Sequence, residues 1–242
     1  MTVPAKLFQQ WLSSVAGDTS QAAVCRAAGL KRSTLAQQLV RGRVSVATVA
    51  SISRSLDLSV VESLTVFPKF HDLAAGLKPP TDAELLSQIS DFDLLQECLN
   101  RRPTGETRPP AVALTPPPHR FSVRAWMDAI DGSDLRQQVA RQVAIAPQNL
   151  SAQISANRLS VELAVESARI AGVGLANGLV ATGFLAPGEA GWGPDSRTTV
   201  LHATSNSALA ALAAQRLETL SRVLRRQEDD LAAVKSVWEN LG

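Results

Sequence analysis

Tyrosine is absent from the chain, aromatic residues make up 4% of it, and only two cysteines and three histidines occur among its 242 residues. Cys25 and Cys98 are too few and too far apart for a disulfide framework or a C-x-x-C metal site, so they read as reduced packing thiols. His71, His119 and His202 share no metal-ligand spacing, and no nucleophile elbow or Ser/His/Asp arrangement surrounds them. The residues therefore point away from an enzyme and call for no metal or cofactor. Long apolar runs are missing as well. None approaches the roughly 18 residues of a membrane span, and Lys6 is followed by no signal-peptide core. The expectation is a protein without a membrane partner that stays in the cytoplasm where it is made. Long β-branched runs are also lacking, while alanine and leucine abound, which favours helix over sheet and an all-α fold. At 45% hydrophobic and 19% charged, the composition is that of a globular protein of one or two domains.

What is present is a repeat. Sliding the sequence along itself by 115 residues aligns 8–64 with 123–179 without a gap. Trp11 meets Trp126, Gly17 meets Gly132, Arg26 meets Arg141, Leu35 meets Leu150, Gln38 meets Gln153, Arg43 meets Arg158 and Arg54 meets Arg169. Apolar pairs such as Leu12 with Met127 and Leu39 with Ile154 fill the positions between. Spacing of this kind implies a duplicated helical domain.

The segment between the copies opens with Lys78-Pro79-Pro80 and closes with six prolines in 102–120, so its ends read as stiff spacer. Within it, Leu85, Ile89, Leu94, Leu95 and Cys98 recur at near-helical spacing after the capping candidates Thr81 and Asp82. The boundaries that follow are 1–77 for the first copy, 78–119 for a partly helical, Pro-rich linker, 120–185 for the second copy and 186–242 for a loop and a long C-terminal helix. In that last helix Leu217, Leu220, Leu224, Leu231, Val234 and Trp238 form a heptad-like seam interrupted by Gln227. The seam is compatible with a homodimer through the C-terminal helix and equally with a helix folded back onto its own chain.

In the first copy Phe8, Trp11, Leu12 and Val15 lie on one helical face closed by Gly17, with Asp18 or Thr19 as candidate caps for a second helix at 21–27. A break at Ala28-Gly29-Leu30-Lys31 precedes helical periodicity over 33–40, and Ser45 and Ser59 begin a fourth and fifth helix. Across 21–40 a small residue sits mid first helix at Cys25, glycine occupies the turn at Gly29, and Leu30, Leu35 and Leu39 are spaced to clamp two helices together. This order resembles the helix-turn-helix of the lambda-repressor-like family, over about 60 residues per copy. The resemblance implies two tandem domains of that kind. It also assigns Gln21 to a position that meets a phosphate and braces the recognition helix.

The polar residues of this stretch agree with DNA as the partner. Lys31, Arg32, Ser33, Thr34, Gln37, Gln38, Arg41 and Arg43 are donors with no acidic residue among them. Arginine can bridge guanine and glutamine adenine in the major groove, while lysine, serine and threonine reach phosphates or base edges. Net charge is +4 over 1–77, −2 over 78–119 and zero over both 120–200 and 201–242, so the excess that displaces counterions from phosphate lies in the first copy. The second copy carries Ala144 at the place of the turn glycine and Ala146-Pro147-Gln148-Asn149 at the place of Lys31-Arg32-Ser33-Thr34. Its DNA-contact candidates are Arg136, Gln148, Asn149, Gln153, Asn157 and Arg158. The competing reading makes this copy a scaffold.

Together, two such domains, a spacer and a helical tail resemble the immunity repressors of actinobacterial, mycobacterial-type temperate phages and prophages. That resemblance implies a sequence-specific repressor, bound to a double-stranded DNA operator, that blocks transcription of lytic genes. The alternative from another class is an antitoxin-like or regulatory interaction adaptor whose second copy and tail hold a protein partner, with DNA binding only autoregulatory.

Overall fold

The computed structural model describes residues 1–101 and 113–239, with side chains described as far as Val234. The rest of the spacer, 102–112, lies outside the described residues. Helices dominate: among the described residues there are 14 α-helices and one two-stranded ribbon. Contacts divide the chain into two compact units, one made of 1–88 with 116–196 and the other of 89–115 with 197–242. The boundaries drawn from sequence follow repeats and prolines. Spatial contact instead gathers both copies and the first linker helix into the same unit.

The first set in that unit comprises α1 (Ala5–Ala16), α2 (Gln21–Ala27), α3 (Arg32–Val40), α4 (Val46–Ser55) and α5 (Val60–Thr65). Helix starts follow local chemistry. Ser20, Ser45 and Ser59 accept hydrogen bonds from Ala23 N, Thr48 N and Glu62 N, which satisfies donors that a helix leaves open at its first turn. The cap of α2 is thus Ser20, next to the expected Asp18 and Thr19. Gly17 ends α1 at φ 52°, a left-handed backbone that glycine adopts without strain. Phe8, Trp11, Val24, Cys25, Leu35, Val49, Ile52 and Leu64 are buried, and Trp11 stacks edge-on against Phe67 at 6.3 Å. One feature departs from an all-α reading: β1 (Thr2–Pro4) pairs antiparallel with β2 (Arg43–Ser45), with Val3 opposite Val44. Strands of three residues, one of them ending in proline, have too little alternation to be read from sequence.

The second set is α8 (Ser122–Ile130), α9 (Leu135–Gln142), α10 (Pro147–Ser155), α11 (Val161–Ala171) and α12 (Asn177–Ala181). Helices α3 and α10 are both nine residues long and start 115 positions apart. The turns before them match bond for bond. Leu30 N donates to Cys25 O at 2.8 Å and Ile145 N to Ala140 O at 2.9 Å, and both turns hold a left-handed residue, Gly29 at φ 65° and Ala144 at φ 53°. Gly42 with Asn157 and Asp57 with Gly172 are two further left-handed pairs at the same offset. The backbone therefore repeats even where the residue type does not.

Between the sets in sequence, α6 (Asp82–Ser87) opens with the expected cap: Thr81 and Glu84 form a reciprocal capping box. Glu84 is fully buried. Its carboxylate accepts from Trp126 Nε1 at 3.1 Å and from Asn177 Nδ2 at 3.2 Å, and Asn177 in turn accepts from Trp192 Nε1 at 2.9 Å. This hydrogen-bonded chain satisfies groups that would be costly to bury alone. Gly178 lies against Trp126 so closely that a Cβ there would stand 2.5 Å from the ring.

In the second unit α7 (Asp91–Asn100) packs against α14 (Asn206–Glu239), a 34-residue helix preceded by α13 (Ser196–Ala203). The Arg101 guanidinium donates to Leu201 O at 2.6 Å, to Thr204 O and to Asn206 Oδ1 at 3.1 Å, which ties the end of α7 to the start of α14. Leu209 and Ala213 are buried. Farther on, Leu217, Leu224, Leu231 and Val234 are 42%, 41%, 70% and 54% exposed, and Leu220 is half-buried. The side chain of Trp238 lies outside the described residues. From residue 224 to residue 234 every side chain of α14 is exposed.

Candidate nucleic-acid interface

The candidate surface is built on α2, the Ala28–Lys31 turn and α3. Cys25 is buried at 2% exposure on α2, which packs against α3 and α4, and its small side chain suits such close packing. Leu35 is buried from the α3 side, with Leu30 and Leu39 half-buried beside it. This anchoring leaves the opposite face of α3 in solvent. Lys31, Arg32, Ser33, Thr34 and Gln37 are all exposed there, as are Gln21 at the first position of α2 and Arg41 in the exit turn. Arg43 is exposed on β2, so the ribbon holds a cation beside the end of α3 that periodicity alone could not place. Among the described residues, none of Lys31, Arg32, Arg41 and Arg43 forms an ion pair. Their charge is uncommitted.

Gln38 stands apart from this group. It is half-buried, and its Oε1 accepts from Ser45 N at 2.8 Å and from Thr48 Oγ1 at 3.1 Å. The side chain thereby bridges α3 to the start of α4. Gln153, its counterpart, likewise accepts from Ser160 N at 3.3 Å. The recurrence of glutamine at this offset was the available signal, but the same residue type suits base readout, so sequence alone could not separate the two roles. Two exposed apolar residues on α3 were not anticipated: Ala36, and Val40 at 89% exposure.

In the second set Gln148, Asn149 and Arg158 are exposed on and beside α10. Asn157 is committed to the interior of the set. Its Oδ1 accepts from Val123 N at 2.9 Å and its Nδ2 donates to His119 O at 3.0 Å, while its backbone holds the left-handed turn. Arg136, which aligns with Gln21, is ion-paired with Asp128. Three of the six candidates in this copy, Arg136, Gln153 and Asn157, thus carry internal bonds. Among the described residues, Gln38 alone of the first set's candidates carries such a side-chain bond.

No metal-ligating cluster of His, Cys, Asp and Glu occurs among the described residues, and no described helix is long and apolar enough to cross a membrane. No family model matches the chain, and neither a curated protein nor a solved structure matches it.

Proposed function

We propose that the protein is a sequence-specific double-stranded DNA-binding transcriptional repressor of the phage immunity type, with α2–α3 and α9–α10 as lambda-repressor-like helix-turn-helix elements. The observation that carries this reading is the exposed, acid-free donor face of α3, whose cations form no ion pair among the described residues. With α3 in the major groove, Arg32 and Gln37 meet base edges while Gln21, Lys31, Arg41 and Arg43 meet phosphates. Occupancy of the operator excludes polymerase from lytic promoters. The action needs no catalysis, metal or cofactor, and its setting is the nucleoid in a bacterial cytoplasm. The exposed seam of α14 suits a second copy of the chain as a further partner.

Selection from a random duplex pool, followed by titration of the chosen duplex, tests the reading. Arg32→Ala should lower specific affinity by about tenfold to a hundredfold, since a good bidentate contact is worth ~1–3 kcal/mol of discrimination. Asn149→Ala should lower it less. Lys31→Ala should weaken all sequences alike and reduce the salt slope by about one. No enriched motif at moderate salt would remove the repressor reading.

The adaptor reading is favoured by one specific observation, the run of exposed positions along 224–234 of α14. Under it, Leu224→Asp with Leu231→Asp abolishes capture of a protein partner and leaves DNA selection intact. Retention of every partner by that double variant would count against it.

A further inference from the structure

The two five-helix sets share one compact unit, and they meet through contacts that recur with the roles exchanged. Arg54, in the last turn of α4, donates to both carboxylate oxygens of Glu189 at 2.7 and 2.8 Å and to Phe184 O at 2.7 Å. Arg169 is its counterpart in the last turn of α11, and it donates to both carboxylate oxygens of Asp72 at 2.7–3.2 Å. Asp72 follows the first set much as Glu189 follows the second. Around these pairs the pattern continues. Helix α5 packs on the 3-10 turn Gly188–Ala190, while on the other side Leu175, just before α12, donates its N–H to Gly76 O at 3.0 Å. The Leu175 side chain fills the space beside Gly76, where a Cβ would stand 2.4 Å from its Cδ1.

An interface in which surface i meets surface j while the second copy's i meets the first copy's j is isologous, the hallmark of two-fold packing. A head-to-tail stack of two copies would bury different surfaces on each and give no reciprocal pair. Here each copy supplies the same arginine and receives the other's in a carboxylate that lies beyond its fifth helix.

We infer that a single chain is a built-in two-fold pair, presenting α3 and α10 to DNA in inverted orientation and at a fixed separation, so that its operator has two unlike half-sites facing each other across a constant spacer. The inference rests on the DNA-binding reading given above. Helix-turn-helix dimers use this geometry because their two-fold axis coincides with one of B-form DNA, which sets half-sites about one helical turn apart. The covalent pair keeps that match while allowing each half to read differently. Arg32, Ser33 and Gln37 face one half-site, and Gln148 and Asn149, whose amides suit adenine edges, face the other. Arg54, Glu189, Asp72 and Arg169 act as positioning residues.

Grafting decides the orientation. The variant P147R/Q148S/N149T/A152Q gives α10 the reading residues of α3, and it should select an inverted repeat of the wild-type first half-site from a random duplex pool. A direct repeat, or a single half-site, would overturn the inference. Wild-type protein selected in parallel separates the failures. If it enriches the first half-site and the graft gains no second, the pairing falls and DNA binding stands; if neither enriches a motif, both fall. A second arm does not depend on the graft folding. Lengthening the wild-type operator spacer by two base pairs should weaken wild-type binding at least tenfold, and R54A/R169A should narrow that loss several-fold. Indifference of the wild type to spacer length would overturn the fixed pairing, as would an equal loss in both proteins.

Discussion

The first and second five-helix sets have matching turns, matching helix lengths at α3 and α10, and a shared glutamine bridge, yet they differ in what they leave exposed. In the first, the turn residue is glycine and the exposed face is basic, with no ion pair among the described residues. In the second, alanine holds the same left-handed turn, Arg136 is ion-paired with Asp128 and Asn157 is bonded to Val123 N and His119 O, while Gln148, Asn149 and Arg158 stay exposed. Their tryptophans diverge too: Trp11 stacks on Phe67, whereas Trp126 donates to the buried carboxylate of Glu84 and presses on Gly178. The lesson is that a backbone can be duplicated faithfully while the surface chemistry drifts, because caps and turn bonds depend on few residues and exposed positions on none.

Three measurements test this contrast. The largest effect is expected at the second set's interior. Gly178→Ala places a Cβ 2.5 Å from the Trp126 ring and 2.9 Å from Ala164 O, so it should destabilise by ~2 kcal/mol, within the usual range for overpacking. Ser63→Ala, at the aligned position of the first set, should cost far less, and equal shifts in denaturant midpoint would erase the difference between the cores. Next come the turns. Gly29 has open space around its would-be Cβ, so Gly29→Ala pays only the left-handed strain, about 1 kcal/mol, while Ala144→Gly should recover a similar amount. Thermal unfolding of the two single variants should move in opposite directions; movement in the same direction would contradict matched turns.

The smallest effect concerns the contacts between the sets. Hydrogen bonds from Arg54 lower the Glu189 carboxyl below its ordinary value against a smaller opposing effect of burial. Burial pushes the Asp72 carboxyl up, but the hydrogen bonds and charge of Arg169 outweigh it and leave the group below its ordinary value. Carboxylates with depressed folded values stabilise the native state above their unfolded pKa, near 4, and lose that contribution as pH falls through the folded value. Both pairs are partly exposed, so screening keeps the contribution modest. The melting temperature should therefore fall more steeply between about pH 5 and pH 3 in the wild type than in Asp72→Asn/Glu189→Gln. Parallel curves would show that the pairs do not contribute.

Several elements are legible in the sequence because their causes are local. Gln21–Ala27 is a helix over the span its apolar spacing indicates, Ser45, Ser59 and Thr81 cap as their positions predict, and the long C-terminal helix follows its alanine- and leucine-rich stretch. The exposed state of Lys31, Arg32 and Gln37 also follows from periodicity, since Leu35 turns the other face inward. The seam on α14 was harder to resolve. Its stripe spans residues that lean on α7 and residues that stand free, and a stripe records only that one face is apolar.

Most helix spans, the caps at Ser45, Ser59 and Thr81, the 115-residue repeat and the positive charge of the first copy are all readable from residue type and spacing along the chain. Long-range packing alone turns Gln38 and Asn157 inward, pairs three-residue strands across 41 positions and brings Arg54 and Arg169 to carboxylates 135 and 97 residues away. Such contacts arise where distant segments of chain meet. No local period or propensity encodes that meeting, because the same arginine serves equally well in solvent until packing brings a carboxylate to it.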